Sequence, residues 1–168
     1  YCAKQGISYS QKAWEEWTVL GEAKPLTGAL DFFKYADSKG VAIFYVTNRL
    51  EKEREGTAKN LKRYNFPLPS DNNLILRSAE KSKENRRLQI AKDYDIVLLM
   101  GDNLSDFSKD FDGGTPQQRS EAVHNNKTEF GKRFIVLPTY SYGEWEGAAY
   151  NHKYNMPAAE KEAIIKNN

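Results

Sequence analysis

Along the chain, apolar and polar positions alternate with a period that changes from segment to segment. Between Ser10 and Leu20, Trp14, Trp17 and Leu20 recur every three residues around Glu15 and Glu16, which predicts a short amphipathic helix. Thr27 is expected to cap a second helix whose apolar face is Leu30, Phe32 and Phe33 and whose stop is Gly40. Val41 to Val46 is an unbroken apolar run rich in β-branched and aromatic residues, so a buried strand should deliver Thr47-Asn48-Arg49 at its tip. Glu51 to Tyr64 reads as a charged helix, Pro67 to Asn73 as a loop, Leu74 to Leu76 as a brief strand and Lys83 to Asp93 as another helix. Asp95 to Met100 repeats the buried-strand pattern and ends at Gly101-Asp102. Gln117 to Phe130 reads as a helix and Arg133 to Leu137 as a third strong strand, stopped by Pro138.

Strands that alternate with helices predict a parallel α/β sheet with right-handed crossovers. Ligands of such sheets bind beyond the carboxyl ends of the strands, where Thr47, Asn48 and Asp102 fall. No internal repeat, low-complexity tract or linker interrupts the pattern, so residues 1–168 are expected to form one domain.

Composition narrows this picture by exclusion. With 39% apolar and 29% charged residues, the chain can bury a core rather than stay disordered. Its net charge of +2 is scattered, which argues against a surface for a nucleic-acid polymer. No apolar run reaches the length of a membrane-spanning helix. Cys2 is the only cysteine, so neither an internal disulfide nor a thiol-based zinc site is expected. The sequence opens on Tyr1, and no signal segment or lipid-attachment motif follows.

The segment Gly101-Asp102-Asn103-Leu104-Ser105-Asp106-Phe107 sets two carboxylates four residues apart after a strand tip. At a separation of about 6 Å they would repel by roughly 3 kcal/mol at an effective dielectric near 20. A hard cation such as Mg²⁺, which takes one or two carboxylates and fills its shell with water and phosphate oxygens, would relieve that repulsion. The alternative is an ordinary solvated turn. Thr47-Asn48-Arg49 offers a hydroxyl, an amide and backbone donors suited to phosphate oxygens, or else it starts a side-chain-capped turn. Lys81, Lys83, Arg86 and Arg87 cluster near a helix start, where a lysine could neutralise a phosphate or the group could simply be a solvated face. Tyr142-Gly143-Glu144-Trp145-Glu146-Gly147 could wall a ring-bearing ligand, with core packing as the plainer role for its aromatics. His124, in a predicted helix, and His152, in a polar tail, are assigned to the surface. No Gly-rich phosphate loop, HExxH or GxSxG occurs, which removes the nucleotide-kinase, zinc-protease and serine-hydrolase classes.

The order Phe44-Tyr45-Val46-Thr47-Asn48-Arg49, then a basic helix start, then Gly101 to Phe107, resembles motifs II, III and IV of the haloacid dehalogenase (HAD) superfamily. The tail Phe134-Ile135-Val136-Leu137-Pro138 with Tyr142 to Gly147 narrows the resemblance to class C acid phosphatases, the bacterial lipoprotein phosphatases. The fold it implies is an α/β HAD-like Rossmannoid parallel sheet flanked by helices, with residues 1–26 as a small helical cap segment and 27–168 as the core. The resemblance further implies that Thr47 binds the transferring phosphoryl group beside Asn48 and Arg49, and that Lys83 balances charge on the phosphate. It implies that Asp102 is the Mg²⁺ ligand, that Asp106 orients the metal's water shell, and that Trp14 and Tyr142 stack on the leaving group of a phosphomonoester or nucleoside monophosphate.

The implied chemistry passes through an aspartyl-phosphate made by a D-x-D-x-T motif, which this sequence does not contain. In the family that motif ends the central strand, between the strands ending at Thr47 and Asp102. Its loss would leave two sheet fragments with open edges. The expectation is therefore a phosphomonoesterase, with 5′-nucleotidase activity within its range, once a motif I strand is supplied, and an inactive chain without it. A noncatalytic nucleotide- or phosphate-binding protein of the same fold and a phosphotransferase are the rivals. Export to the bacterial envelope by a lipid anchor and homo-oligomerisation rest on the resemblance alone.

Overall fold

Local capping explains where the first helices begin and end. The computed structural model describes residues 1–7, 10–139 and 144–166, and the chain divides into two compact units, Tyr1–Lys81 and Ser82–Asn168.

In the first unit, a single turn α1 (Cys2–Gln5) precedes α2 (Gln11–Leu20). The Ser10 hydroxyl accepts the Ala13 N–H at 3.1 Å, and the helix ends where Gly21 takes a left-handed φ of 61°. Helix α3 (Ala29–Ser38) starts from Gly28 at φ 82°, so Thr27 is not its cap. A β-branched residue is disfavoured in that left-handed conformation, and no side-chain cap replaces it. The expected stop holds: Gly40 N–H donates to the Asp37 carbonyl and Val41 N–H to that of Ala36, the 5→2 and 6→1 pair of a Schellman motif. Phe33 packs against Tyr45 and Phe66 at ring separations of 5.8 and 5.7 Å, while Phe32 stays exposed, so the apolar face is narrower than predicted.

Strand β1 spans Tyr45–Leu50, a 3₁₀ turn follows at Glu51–Glu53, and α4 (Arg54–Arg63) leads to β2 (Leu74–Arg77). β1 and β2 pair in parallel across α4, a βαβ unit. The strand was expected over Val41 to Val46. Residues 41–44 have no partner ladder because β2 has only four residues, and the pairing starts at Tyr45↔Leu74. Ile43, Leu74 and Leu76 are buried beneath it. Helices α2 and α4 touch through Gly56, where an added Cβ would lie 2.4 Å from the Thr18 carbonyl oxygen. The Tyr45 phenol donates to the Pro67 carbonyl at 2.8 Å, and burial, with a smaller contribution from Asp37, pushes its pKa up to about 12.

The second unit repeats the plan. Helix α5 (Glu84–Ile90) precedes β3 (Leu99–Gly101), two 3₁₀ turns (Leu104–Asp106 and Lys109–Phe111) and α6 (Pro116–Asn125), and then β4 (Phe134–Val136) pairs in parallel with β3. Thr115 and Gln118 cap α6 reciprocally, with Pro116 at its first position. The helix stops at Asn125 rather than reaching Phe130, because the Asn126 side chain bonds back to the Ala122 carbonyl at 2.9 Å. Phe130 is thereby released to join Phe107, Phe111 and Phe134 in a four-ring core, with Phe107 stacked on Phe134 at 5.1 Å. Short helices α7 (Glu144–Ala149) and α8 (Ala158–Lys166) follow, with Ala148 and Tyr150 buried.

Each unit thus holds a two-stranded parallel sheet, β1-β2 and β3-β4, and among the described residues no further strand pairs with either. No helix of the described residues is long and apolar enough to cross a membrane.

Candidate active site

The polar triplet after the first apolar run sits in an irregularity of the ladder. From Val46 to Leu50 β1 advances four residues (50 − 46) while β2 advances two, Ile75 to Arg77 (77 − 75), so Thr47, Asn48 and Arg49 bulge out of register. The triplet therefore lies inside β1 rather than beyond its tip as expected, at a bulge, a feature that re-aims side chains. The Thr47 hydroxyl accepts the Arg49 N–H at 3.2 Å, a local turn of the kind the plainer reading predicts. Asn48 is exposed.

Arg49 turns toward α2. Its guanidinium lies 5.6 Å from the rings of both Trp14 and Trp17 and donates to the Thr57 hydroxyl at 3.1 Å. Trp14 and Trp17 are themselves 5.1 Å apart, and the Trp14 indole N–H donates to Glu53 Oε1 at 2.7 Å. The triplet and Trp14, 33 residues apart (47 − 14), therefore belong to one cluster in the first unit. Its hub, the buried Glu53, is a residue that sequence reasoning missed: a charged helix start holds several glutamates, and only a contact spanning 39 residues singles this one out.

In the second unit, Lys83 occupies the N-cap position of α5 and its Nζ lies 2.7 Å from Asp106 Oδ1, with both side chains largely buried. The other oxygen, Asp106 Oδ2, accepts the Asn103 N–H at 3.2 Å. One turn further along α5, the buried Arg87 donates to the carbonyls of Ser105 (3.1 Å) and Asp106 (2.9 Å) and to Glu84 Oε2 (2.5 Å). Of the basic cluster, Lys83 and Arg87 thus hold the 102–106 turn from one helix face. Gly101 is required by the same turn, since a Cβ there would meet Asp106 Oδ2 at 2.3 Å and its Cβ at 2.5 Å. Asp102 stays exposed, with Asn103 Nδ2 donating to its Oδ1 at 3.1 Å.

Neither of the D-x-D pairs follows a strand tip. Asp93 and Asp95 precede β3, and Asp110 and Asp112 lie in the 3₁₀ turn and loop, where Asp112 accepts from Ser82 Oγ at 2.5 Å. His124 is exposed as expected. His152, assigned to the surface, is instead half-buried, with its ring nitrogens 3.0 Å from the Gly114 carbonyl and 3.2 Å from the Tyr154 hydroxyl. Tyr142, the second expected stacking residue, lies outside the described residues.

Asp102 offers hard carboxylate oxygens, a donor type that fits Mg²⁺ in chemistry. Among the described residues no three His, Cys, Asp or Glu side chains converge as a metal site. A Mg²⁺ ion held by one or two carboxylates does not need three.

Residues 1–145 match the family model of HAD superfamily subfamily IIIB, the acid phosphatases. The structure of the class C acid phosphatase from Bacillus anthracis superimposes with a TM-score of 0.91 at 41% identity, over 99% of this chain and 70% of that one. The same enzyme with tungstate bound matches equally, with a TM-score of 0.91. With the family model matching residues 1–145 and the structural match covering 99% of the chain at 41% identity, the chain belongs to the subfamily IIIB acid phosphatases of the HAD superfamily.

Proposed function

We propose that this chain carries the phosphate-binding and metal-binding parts of a Mg²⁺-dependent phosphomonoesterase. The observation that carries this reading is the Gly101–Asp106 turn, whose second carboxylate is locked by Lys83 and Asn103 while Asp102 remains exposed. A preorganised turn of that kind suits a reaction in which catalysis is mostly positioning and charge neutralisation. Tungstate, an oxyanion of phosphate-like shape, binds the Bacillus anthracis relative, which supports a phosphate ester as substrate.

In this reading Thr47 and Asn48 hold phosphoryl oxygens, Arg49 braces the triplet against the tryptophans, Lys83 holds Asp106 in place, and Asp102 supplies an oxygen to Mg²⁺. Charge neutralisation on the phosphoryl oxygens is the chemistry that the bound cation supplies. Trp14, with Tyr142, gives the leaving group an aromatic surface, which favours aryl phosphates and nucleoside monophosphates. By the class C resemblance, the nucleophilic and proton-donating aspartates belong to a D-x-D-x-T strand. A chain without that strand has no nucleophile and is expected to be inactive. A lipid anchor and an envelope location follow from the class C resemblance.

The test is hydrolysis of phenyl phosphate by the complete protein with Mg²⁺ and after chelation. Turnover that disappears with EDTA and returns with Mg²⁺ is expected. Metal-independent turnover would remove Mg²⁺ from the reading, and tight phosphate binding without turnover would favour the noncatalytic binder.

A further inference from the structure

We infer that Glu53 is a positioning residue that sets the orientation of the Trp14 ring relative to the Thr47–Arg49 bulge, and so governs leaving-group selectivity. The inference rests on the proposed role of Trp14 at the leaving group.

Four residues of the first unit form a closed circuit. The Trp14 indole N–H donates to Glu53 Oε1 at 2.7 Å, and the Thr57 hydroxyl donates to the Glu53 carbonyl at 2.8 Å. Arg49 donates to the Thr57 hydroxyl at 3.1 Å and lies 5.6 Å over the Trp14 ring, which returns the circuit to its start. The second carboxylate oxygen, Glu53 Oε2, accepts the Leu50 N–H at 2.6 Å, immediately after Thr47-Asn48-Arg49. One carboxylate therefore fixes both the indole of α2 and the backbone that leaves the bulge.

Glu53 is only 4% exposed, and its two oxygens accept the Trp14 indole N–H and the Leu50 backbone N–H. A buried carboxylate is costly, and an apolar side chain of similar volume would pack α2 on α4 at lower cost. What an apolar residue cannot do is choose among orientations of a tryptophan, whose χ2 has two broad wells of similar energy. An acceptor aimed at the indole N–H selects one of them. The close passage of α2 over Gly56 holds the helix, and Glu53 holds the ring.

The experiment compares phenyl phosphate with ethyl phosphate in the complete protein and its Glu53→Gln and Trp14→Phe variants, alongside inhibition by inorganic phosphate. Gln keeps the volume of Glu53 but presents an amide N–H₂ to one of the two donors, while Phe keeps an aromatic ring and removes the N–H. Each variant is expected to lose about tenfold in kcat/KM for phenyl phosphate, mainly through KM, because a substrate ring held in the wrong orientation loses pocket contact worth a factor of that order. Ethyl phosphate turnover and phosphate inhibition should change less than about threefold, and the double variant should be no worse than either single one, as expected of residues in one circuit. An unchanged phenyl-to-ethyl ratio in Glu53→Gln overturns the inference. So does an equal loss on both substrates, which would make Glu53 a purely structural residue. If Trp14→Phe leaves the ratio unchanged, the leaving-group role of Trp14 fails and the inference with it. Absence of turnover in the unsubstituted protein would instead refute the phosphatase reading itself.

Discussion

Gly101→Ala sets two physical effects of opposite sign against each other. Glycine in a strand costs about 0.5–1 kcal/mol relative to alanine through backbone entropy, so propensity alone predicts that the substitution stabilises. The structure predicts the reverse. The new methyl would lie 2.3 Å from Asp106 Oδ2, 2.5 Å from its Cβ and 2.7 Å from its Cγ, and the Cβ is tied too closely to the backbone to swing aside. Restoring ordinary contact requires a retreat of about 1 Å. That takes the 2.7 Å Lys83–Asp106 pair beyond hydrogen-bond length. Overpacking of this kind costs about 1–3 kcal/mol, and stranding a fully buried ion pair costs about 3–5 kcal/mol. The side chains here retain 18% and 12% exposure, so rehydration recovers part of the second cost. A net loss of about 2–4 kcal/mol remains, larger than the entropic gain. Urea unfolding of the complete protein should therefore show a lower midpoint at unchanged slope, with reduced kcat. An equal or higher midpoint would refute the close packing of Gly101 on Asp106.

Other perturbations follow from the same structure. Phe111→Ala removes a fully buried ring from the four-phenylalanine core and should cost about 3–5 kcal/mol, read as a midpoint shift in denaturant. Lys83→Met leaves Asp106 without its cation and should lower both kcat and stability, the latter by about 2–3 kcal/mol, whereas Arg at this position keeps the charge and should lose less stability. Tyr45 should stay protonated in the folded state up to about pH 12 while the unfolded chain ionises near 10. Folded protein then binds more protons than unfolded between those limits, so stability is full below pH 10 and falls as pH rises toward 12. Tyr45→Phe should flatten that alkaline limb, and an unchanged slope would argue against its burial and its bond to Pro67.

Much of the candidate site was legible in the sequence because it sits at the ends of apolar runs. The run before Gly101 marks the end of β3 by hydrophobicity alone, whereas the run before Thr47 leads into β1, which continues through the triplet to Leu50. The extents of those strands were not legible, since a ladder needs a partner: Val41 and Val97 are apolar but exposed, and neither lies in a paired strand. Helix starts erred where a left-handed glycine, Gly28, replaced the expected side-chain cap. The contacts by which other residues hold the site were not legible for a further reason. Glu53, Arg87 and Gly101 owe their roles to contacts with atoms of other segments, or to space needed by a neighbour, and one charge or glycine among many carries no such signal in local pattern.

The paired indoles of α2 also give the molecule a built-in optical probe. Trp14 and Trp17 are two of the three tryptophans, and both lie beside a guanidinium in the first unit, whereas Trp145 is 47% exposed in the second. The two sets should differ in emission wavelength and in access to a dissolved quencher such as iodide. Melting of α2 would then appear as a red shift in the shielded component, so that loosening around the Thr47–Arg49 bulge can be followed by fluorescence without a label and apart from events in the second unit.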